Sequence, residues 1–331
     1  MKAYLVSKYK SPMRVGEVAE PAIDDHDVLV DIHAAGVNML DAKTRDGEFK
    51  LFLPYKAPFI LGHDLAGVVT RVGSAVTRFT VGDEVYARPR DGRIGTFAER
   101  IAVDEDDLAI KPANLSMAEA ASVPLVALTA WQALVERANL QPGQKVLVHA
   151  GSGGVGAYAI QLAKHLGATV TTTTGTSNLE WVRDLGADVV IDYRTQDFET
   201  VAHDYDIVLD SQGGDTLAKS LRVLKPGGTA IGIAGPPDPA FAREQGLRLP
   251  LRLAMTALSL KTRRAARRQG VRYSFLFMRA SGAQLDQITK LIETNVLRPI
   301  LDRAYPFDEA PQALAHVEGG RTKGKVVITM V

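Results

Sequence analysis

KVLVHAGSGGVGAYAIQLAKHLGA, residues 145–168, is the stretch that decides the fold of this chain. An apolar strand leads into Gly151-Ser152-Gly153-Gly154-Val155-Gly156, which matches the pattern Gly-x-Gly-x-x-Gly, and a helix follows directly. Glycines permit a tight turn and a close approach of the backbone to a pyrophosphate, while the helix N-terminus offers N–H groups and a partial positive charge. A strand before, a helix after and a second strand about 20 residues on predict a dinucleotide-binding site.

The residues that follow keep this rhythm of strands and helices. ATVTTTT, DVVIDY, DIVLDS and GTAIGIAG resemble strands, NLEWVRDLG and DTLAKSLRVL resemble helices, and FLFM (275–278) is interpreted as the last strand. Such alternation is typical of a mostly parallel sheet. The chain is therefore predicted to be an α/β protein with a doubly wound parallel-sheet domain of the Rossmann type.

The first third of the chain has a different texture. Short β-branched segments at 28–33, 66–72, 84–87 and 96–103 predict an antiparallel, strand-rich domain. From Ser116 the composition becomes helical, and Pro124 should divide that run into two helices. We place the first domain at 1–123 and the second at 124–296, and expect the alternating strand in the tail 297–331 to rejoin the first domain.

Composition narrows the possible partners. The 331 residues carry 39 Lys and Arg against 38 Asp and Glu, a formal net charge of +1, so neither nucleic acid nor a membrane is expected as a partner. With no signal-peptide core and no apolar run of about 18 residues, a cytoplasmic protein is expected. The cluster KTRRAARRQGVR (261–272) is interpreted as a solvated helix face and is given no function.

The end of the second strand bears on which dinucleotide binds. Thr174, Gly175, Thr176 and Ser177 lie there, and no Asp or Glu occurs between Gly156 and Glu180. An acidic side chain in this place binds the ribose hydroxyls of NADH and repels a 2′-phosphate, so its absence favours NADPH over NADH. The segment lacks the Lys or Arg that usually neutralises the phosphate; Arg183 or Arg194 can take that role, or each is simply a surface residue.

Seven segments together resemble the zinc-independent quinone oxidoreductases of the medium-chain dehydrogenase/reductase superfamily, which is related to the zinc-type alcohol dehydrogenases. They are 36–47, 60–87, 121–134, 146–168, 185–193, 224–235 and 319–328, and they span nearly the whole chain. The resemblance implies a β-rich, GroES-like catalytic domain, a Rossmann domain, a cofactor between the two and a homodimer formed through sheet edges.

The same resemblance suggests roles for individual residues. Thr129 is expected on the nicotinamide side, Gly153 to Val155 at the pyrophosphate, and Ser177 and Tyr193 at the phosphate of the adenosine. Phe275, Leu276 and Phe277 are expected near the carboxamide. Lys325, in the closing GKVV, either reaches the cofactor or is a surface lysine.

A catalytic zinc is not expected. In zinc-dependent relatives the segment beginning GVN carries a cysteine ligand, whereas this chain has Asn38 to Asp41 there and contains no cysteine at all. His63 by itself does not make a metal site, and the four-cysteine structural-zinc loop is missing as well. We predict an enzyme without a metal.

Without a Lewis acid, the chemistry that fits is hydride transfer to an acceptor made electrophilic by conjugation, such as a quinone or an α,β-unsaturated carbonyl compound. Asn38, Asp41, Tyr55 and His63 are the candidate catalytic residues, each with a packing or capping role as the alternative. Two other hypotheses remain open: an enone reductase that ignores quinones, and a catalytically idle nucleotide-binding sensor or RNA-binding protein.

Overall fold

A computed structural model describes residues 1–330, and its contacts divide the chain into two compact units. The first unit contains Met1–Leu128 together with the segment that starts at Arg279, and the second contains Thr129–Met278. The chain passes from the first unit to the second within helix α3 (Pro124–Trp131), which continues into a π-helical turn at Gln132–Arg137. Among the described residues, no helix is both long and apolar enough to cross a membrane.

The first unit is built mainly from antiparallel strands. Its strands are β1 (Lys2–Val6), β2 (Arg14–Glu17), β3 (Asp27–Val37), β4 (Phe59–Ile60), β5 (Asp64–Val72), β6 (Glu84–Ala87), β7 (Arg100–Asp104) and β8 (Leu108–Ile110), with β15 (Leu301–Pro306) and β16 (Lys325–Thr329) from the tail. Four helices accompany them: α1 (Met39–Asp46), α2 (Met117–Ala121), α10 (Gly282–Glu293) and α11 (Ala310–Glu318). The long strand β3 lies at the centre, because β5, β7 and β16 all pair with it.

The second unit contains the predicted parallel sheet. Its six strands are β9 (Lys145–Val148), β10 (Thr169–Thr174), β11 (Val189–Asp192), β12 (Tyr205–Asp210), β13 (Leu224–Gly232) and β14 (Arg272–Phe275), all paired in parallel. Its helices, besides α3, are α4 (Gly154–His165), α5 (Leu179–Asp184), α6 (Gly214–Ser220), α7 (Pro239–Glu244), α8 (Leu249–Leu258) and α9 (Leu260–Arg268).

The strand order confirms the doubly wound fold. The sheet runs β11-β10-β9-β12-β13-β14, so the chain reverses direction across the sheet between β9 and β12. In such sheets ligands bind outside the carboxyl ends of the strands at this reversal, which is where the glycine-rich loop follows β9. The fold therefore places the predicted dinucleotide loop at the expected ligand position.

The helical run after Ser116 divides as predicted. Ser116 and Glu119 form a capping box at the start of α2, and Pro124 opens α3. Proline suits the first turn of a helix because its missing N–H would have no partner there. The tail strand also pairs as predicted, since Val326 to Thr329 lie opposite Ala34 to Val37 of β3.

Helix α10 belongs to the first unit, although the sequence placed residues 279–296 in the second. Its Leu285 carbonyl accepts a hydrogen bond from Tyr86 Oη at 2.9 Å, and its Ile292 carbonyl accepts one from Asn114 Nδ2 at 3.0 Å. An amphipathic pattern predicts the helix but cannot tell which sheet it covers. The last strand of the second unit likewise ends at Phe275, earlier than FLFM predicted.

Candidate functional site

The glycine-rich loop has the geometry of a pyrophosphate cradle. Gly153 is the N-cap of α4 and provides no side-chain cap, so N–H groups of the first helical turn point outward without a side-chain partner. A Cβ added at Gly153 would meet only Ala150 O, at 3.4 Å, whereas one at Gly151 would lie 2.1 Å from Thr172 Oγ1. Gly151 is thus required by packing, whereas a side chain at Gly153 would meet little of the protein.

Four consecutive threonines on β10 support this loop and the sheet beneath it. Thr172 Oγ1 donates to Val148 O at 2.7 Å and Thr174 Oγ1 donates to Ser152 Oγ at 3.0 Å. Thr173 Oγ1 accepts from the backbone N–H of Ala150 at 3.2 Å. The fourth, Thr171, bonds instead to Tyr205 Oη at 2.8 Å, away from the loop. Sequence reasoning used only Thr174, although the run TTTT was visible.

His149 supports the same loop from below. It is 2% exposed, and its Nδ1 and Nε2 lie 3.1 Å from Thr173 Oγ1 and 2.9 Å from Ser220 Oγ. Burial lowers the pKa of His149 to about 4, so the imidazole is neutral at physiological pH. Because Ser220 Oγ donates to Thr216 O at 2.7 Å, it accepts from His149 Nε2–H, and Nδ1 in turn accepts from Thr173.

This arrangement holds Ala150 in an unusual conformation. Ala150 has φ of +53°, a left-handed value that costs a residue with a Cβ about 1 kcal/mol or more. Its N–H is fixed by Thr173, which is fixed by His149. The single proton of Ser220 Oγ, the other partner of His149, is shared between Thr216 O and the buried carboxylate of Asp210 at 3.2 Å. Sequence reasoning missed His149 because it precedes the glycine pattern.

Asp210 links the loop after β12 to this chain of hydrogen bonds. Its Oδ1 accepts from the N–H groups of Gln212 at 3.0 Å and Gly213 at 2.6 Å. Burial raises the pKa of Asp210, and these backbone hydrogen bonds offset part of the rise. The loops that follow the two strands flanking the reversal are therefore held together by one buried polar network.

An acidic side chain, Asp192, and a basic one, Arg194, both lie near the end of β10. Thr176 Oγ1 donates to Asp192 Oδ2 at 2.6 Å, so an acidic side chain from β11 does lie in this region, beyond the sequence window that lacked one. The hydrogen bond from Thr176 lowers the pKa of Asp192. The guanidinium of Arg194 lies 5.9 Å from the ring centroid of Tyr193, and its Nε would be 3.5 Å from a Cβ at Gly175.

The other residues assigned to the cofactor lie in different surroundings. Thr129 is buried on α3. Phe275 and Leu276 are buried as well, and their N–H groups donate to Asp238 Oδ2 at 3.1 Å and Gly232 O at 3.0 Å. Phe277 is half-buried, with its ring centroid 6.0 Å from that of Phe241. Contacts from this segment to a ligand would therefore come mainly from its backbone.

In the first unit, three of the four candidate catalytic residues join one buried network. His63 Nδ1 lies 2.5 Å from Asp41 Oδ1, and Asp41 Oδ2 accepts from the backbone N–H of Asn38 at 2.7 Å. Asn38 Nδ2 donates to Asp64 Oδ2 at 2.9 Å. Asp64, which sequence reasoning did not select, also accepts the N–H of Leu125 at 2.8 Å. All four side chains are at most 5% exposed.

Lys325 belongs to this network and not to the surface. Its ammonium donates to Val37 O at 3.1 Å, Asn38 Oδ1 at 2.5 Å and Asp64 Oδ2 at 3.2 Å, which uses all three of its protons. Burial raises the pKa of Asp64, and the charge of Lys325 offsets part of that rise. The cofactor contact suggested for Lys325 is therefore replaced by a role in holding Asn38 and Asp64.

The fourth candidate, Tyr55, makes its contacts elsewhere. Its Oη accepts from Gly92 N–H at 3.3 Å, its backbone N–H donates to Tyr9 Oη at 2.7 Å, and its ring lies 5.4 Å from that of Phe59. Burial raises the pKa of Tyr55 to about 12, so the phenol keeps its proton at neutral pH and can donate a hydrogen bond.

The residues of the first-unit network do not suit zinc. Zinc sites of this type use thiolate and imidazole ligands, and the chain has no cysteine. The carboxylate of Asp64 faces the ammonium of Lys325, and His63 Nδ1 is committed to Asp41, which leaves only His63 Nε2 without a partner in the described chain. No group of three or more metal-ligating side chains occurs among residues 1–330.

Comparison with known proteins gives two family matches and full-length relatives. Residues 24–113 match the family described as alcohol dehydrogenase GroES-like domain, and residues 185–328 match the one described as zinc-binding dehydrogenase. The chain is 36% identical to the 2-methylene-furan-3-one reductase of Solanum lycopersicum, over 99% of this chain and 79% of that protein.

Two further proteins are similar over nearly all of the chain. The NADPH-dependent alkenal/one oxidoreductase, chloroplastic, of Arabidopsis thaliana is 34% identical over 99% of this chain and 79% of its own length. Among solved structures, the quinone oxidoreductase from Coxiella burnetii superposes with a TM-score of 0.88 at 30% identity, covering 100% of this chain and 99% of that one.

Proposed function

This chain belongs to the zinc-independent quinone oxidoreductases of the medium-chain dehydrogenase/reductase superfamily, and we propose that it uses NADPH to reduce quinones or α,β-unsaturated carbonyl compounds. The observation that carries the proposal is the open glycine loop at the N-terminus of α4, which has no side-chain cap. Thr173 accepts a hydrogen bond from the Ala150 N–H in this loop, and His149 accepts one from Thr173. Bound there, the nicotinamide cofactor supplies a hydride to an acceptor that conjugation has already made electrophilic.

The protein contributes binding and orientation. Backbone N–H groups of Gly154 and Val155, in the first turn of α4, would hold the pyrophosphate, and the dipole of α4 would favour its negative charge. Thr129 and the backbone of Phe275 to Phe277 remain the proposed contacts of the nicotinamide end. Fixing the reactants in this way lowers the barrier because no protein group has to move during the transfer.

In the first unit we assign positioning roles rather than proton transfer to Asn38, Asp41 and His63. Apart from His63 Nε2, their side-chain polar atoms already bond to one another, to the backbone, to Asp64 and to Lys325, and all are buried. Tyr55 is the proposed hydrogen-bond donor to the oxygen of the acceptor, because it keeps its proton and is only half-buried. Solvent supplies the final proton.

Isotope labelling tests this chemistry. With deuterium at the 4R or the 4S position of NADPH in turn, one of the two cofactors should place the label on the β-carbon of the reduced enone, and unlabelled NADPH in D2O should leave that β-carbon without deuterium. A β-carbon that takes no deuterium from either labelled cofactor would overturn the proposed hydride transfer.

We propose that Arg194 causes the preference for NADPH over NADH by binding the 2′-phosphate. Its guanidinium lies beside Gly175 and Tyr193, at the strand end where the 2′-phosphate is expected, and Asp192 is occupied by Thr176 and the N–H of Arg194. Arg183, the other candidate, is exposed on α5.

Arg194→Gln should raise KM for NADPH about tenfold and leave KM for NADH unchanged, since a charge-assisted phosphate contact contributes about 1.5–3 kcal/mol. Arg183→Gln is the matched control, and equal losses for both cofactors would exclude this role of Arg194.

We also propose an oligomeric state and a cellular location for this protein. Strand β14 lies at the edge of the six-stranded sheet with one side unpaired in the described chain, and we propose that two copies join there to form a homodimer. A cytoplasmic location remains our expectation for this chain, although some relatives are named as chloroplastic and others as mitochondrial.

A further inference from the structure

Helices α8 and α9 carry an unusual concentration of positive charge. No Asp or Glu occurs between Glu244 and Asp286, although the whole chain has a formal net charge of only +1. Six exposed cations on α8, on α9 and at the N-cap of α8 have no ion pair in the part of the chain that the structure describes: Arg248, Arg252, Lys261, Arg264, Arg267 and Arg268. The positive charge of these helices is therefore available to an external anion.

The same helices expose leucines. Leu249 is 65% exposed, Leu253 and Leu258 are each 61% exposed, and Leu260 is 36% exposed. Leu249 and Leu253 are four residues apart on α8 and so lie next to each other on one helix face, with Arg252 on the flank. Leu258 is five residues beyond Leu253 and so lies on another side of α8. The adjacent exposed pair Leu249 and Leu253, flanked by Arg252, is the feature that marks a contact surface.

We propose that this surface, the basic leucine face formed by Leu249, Leu253 and Arg252 of α8 and supplemented by the positive charge of the cations on α9, docks on an anionic lipid bilayer. Helices that lie in a membrane interface combine Lys and Arg on one side with Leu on the other. The leucines would enter the boundary between headgroups and acyl chains, and the long arginine side chains would reach the lipid phosphates from their flanks. This docking needs no membrane-spanning helix and does not depend on the proposed reductase activity.

Two other occupants fit the surface less well. RNA binding without sequence preference uses aromatic side chains on which bases stack, and the sequence has no aromatic residue between Phe241 and Tyr273. A second copy of the chain would bring six like charges against six more without a carboxylate in either segment. Of these three occupants, only a bilayer supplies both an apolar layer for the leucines and anions for the arginines.

Vesicle co-sedimentation of the full-length protein tests the proposal. Binding to vesicles of phosphatidylcholine mixed with phosphatidylserine should be at least about tenfold tighter than to phosphatidylcholine alone. Leu249→Ser/Leu253→Ser and Arg252→Gln/Arg264→Gln should each weaken it by about tenfold. The thermal midpoint should stay unchanged, since all four side chains are exposed.

Matched controls separate this surface from general charge and hydrophobicity. Lys8→Gln/Lys50→Gln removes two exposed positive charges from the first unit, and Val81→Ser removes an apolar side chain that is 65% exposed; neither should change vesicle binding. Equal binding to neutral and anionic vesicles would overturn the proposal. So would tight binding of single-stranded RNA that is lost in the arginine variant but kept in the leucine variant, or a dimer in light scattering that the leucine variant dissociates.

Discussion

Thr173 connects the dinucleotide loop to the buried interior through a single hydroxyl. It accepts the N–H of Ala150 and donates to His149, so we expect it to affect cofactor binding through the loop and not by direct contact. Thr173→Val should leave the Ala150 N–H unsatisfied at a cost of about 1–3 kcal/mol and raise Kd for NADPH about tenfold. The measurement is a fluorescence titration with NADPH.

Thr171→Val is the matched control for this prediction. Thr171 is buried on the same strand and also loses one hydrogen bond, to Tyr205, but it does not touch the loop. It should lower the free energy of unfolding by a similar amount and leave Kd unchanged. Equal weakening of NADPH binding by both variants would contradict the assigned role of Thr173.

His149 makes stability depend on pH in a predictable direction. Its pKa is about 4 in the folded protein, against 6.5 for an unperturbed imidazole, so below 6.5 the unfolded chain binds a proton that the folded chain does not. The free energy of unfolding should therefore fall as pH drops from 6.5 towards 4, by of order 3 kcal/mol in total. His149→Asn should flatten this part of the profile while still accepting a hydrogen bond from Thr173.

Urea unfolding at neutral pH and at about pH 5 measures this effect. The quantity compared is the change in the free energy of unfolding between the two pH values. Any effect of the substitution that does not depend on pH therefore cancels. The same acid-side slope in His149→Asn and the unmodified protein would show that another group causes the loss of stability.

At the scale of elements, two glycines in the strand-loop-helix unit from β9 to α4 have different expected roles. Gly151 is required for packing, and Gly153 is expected to leave room for the cofactor. Gly153→Ala meets nothing closer than 3.4 Å and should preserve the thermal midpoint, but its methyl group occupies the space of the pyrophosphate and should raise KM for NADPH by about tenfold or more. Gly151→Ala, with Thr172 Oγ1 at 2.1 Å from the new Cβ, should lower the midpoint by several degrees. A loss of stability in Gly153→Ala as large as in Gly151→Ala would contradict this division.

Local patterns predicted most of the elements, and long-range contacts explain what they missed. The glycine motif, the βαβ rhythm and Pro124 each act within a few residues, so the sequence was sufficient to place them. The partner of helix α10 depends on Tyr86 and Asn114, which are distant along the chain. Asp192 was missed for the same reason, because pairing of β11 with β10 brings it beside Thr176.

At the scale of the whole molecule, the C-terminal strand is tied to the N-terminal half by a buried charge. Lys325 on β16 donates to Val37, Asn38 and Asp64, residues that are far from it in sequence. Its conversion from a suggested cofactor contact to a buried structural partner shows why a short motif such as GKVV does not determine a role. The function of such a lysine depends on which residues the fold brings to it.

Removing this charge should be costly. Lys325→Met leaves the Asp64 carboxylate buried without a cation and should lower the free energy of unfolding by about 3–5 kcal/mol. The double variant Lys325→Met/Asp64→Asn should recover part of that loss, because no uncompensated charge remains. Urea unfolding measures both, and a loss below about 1 kcal/mol in the single variant would contradict the assigned pairing.

The net charge of the whole molecule, like a short motif, does not determine what a local group of residues does. The value of +1 predicted no attraction to membranes, yet the positive charges of α8 and α9 are concentrated in a segment without a carboxylate. A balance over 331 residues reports nothing about where the charges lie. The sequence showed the cluster, but the exposure of the leucines beside it required the structure.

We propose that this protein is a nicotinamide-dependent reductase of conjugated acceptors that works without a metal. The most direct test is the oxidation of NADPH and NADH by chelator-treated protein, measured against matched panels of quinones and enones. We predict turnover that survives metal removal and is faster with NADPH at limiting cofactor. Tight binding of NADPH without reduction of any acceptor, or activity that returns only when zinc is added, would contradict this account.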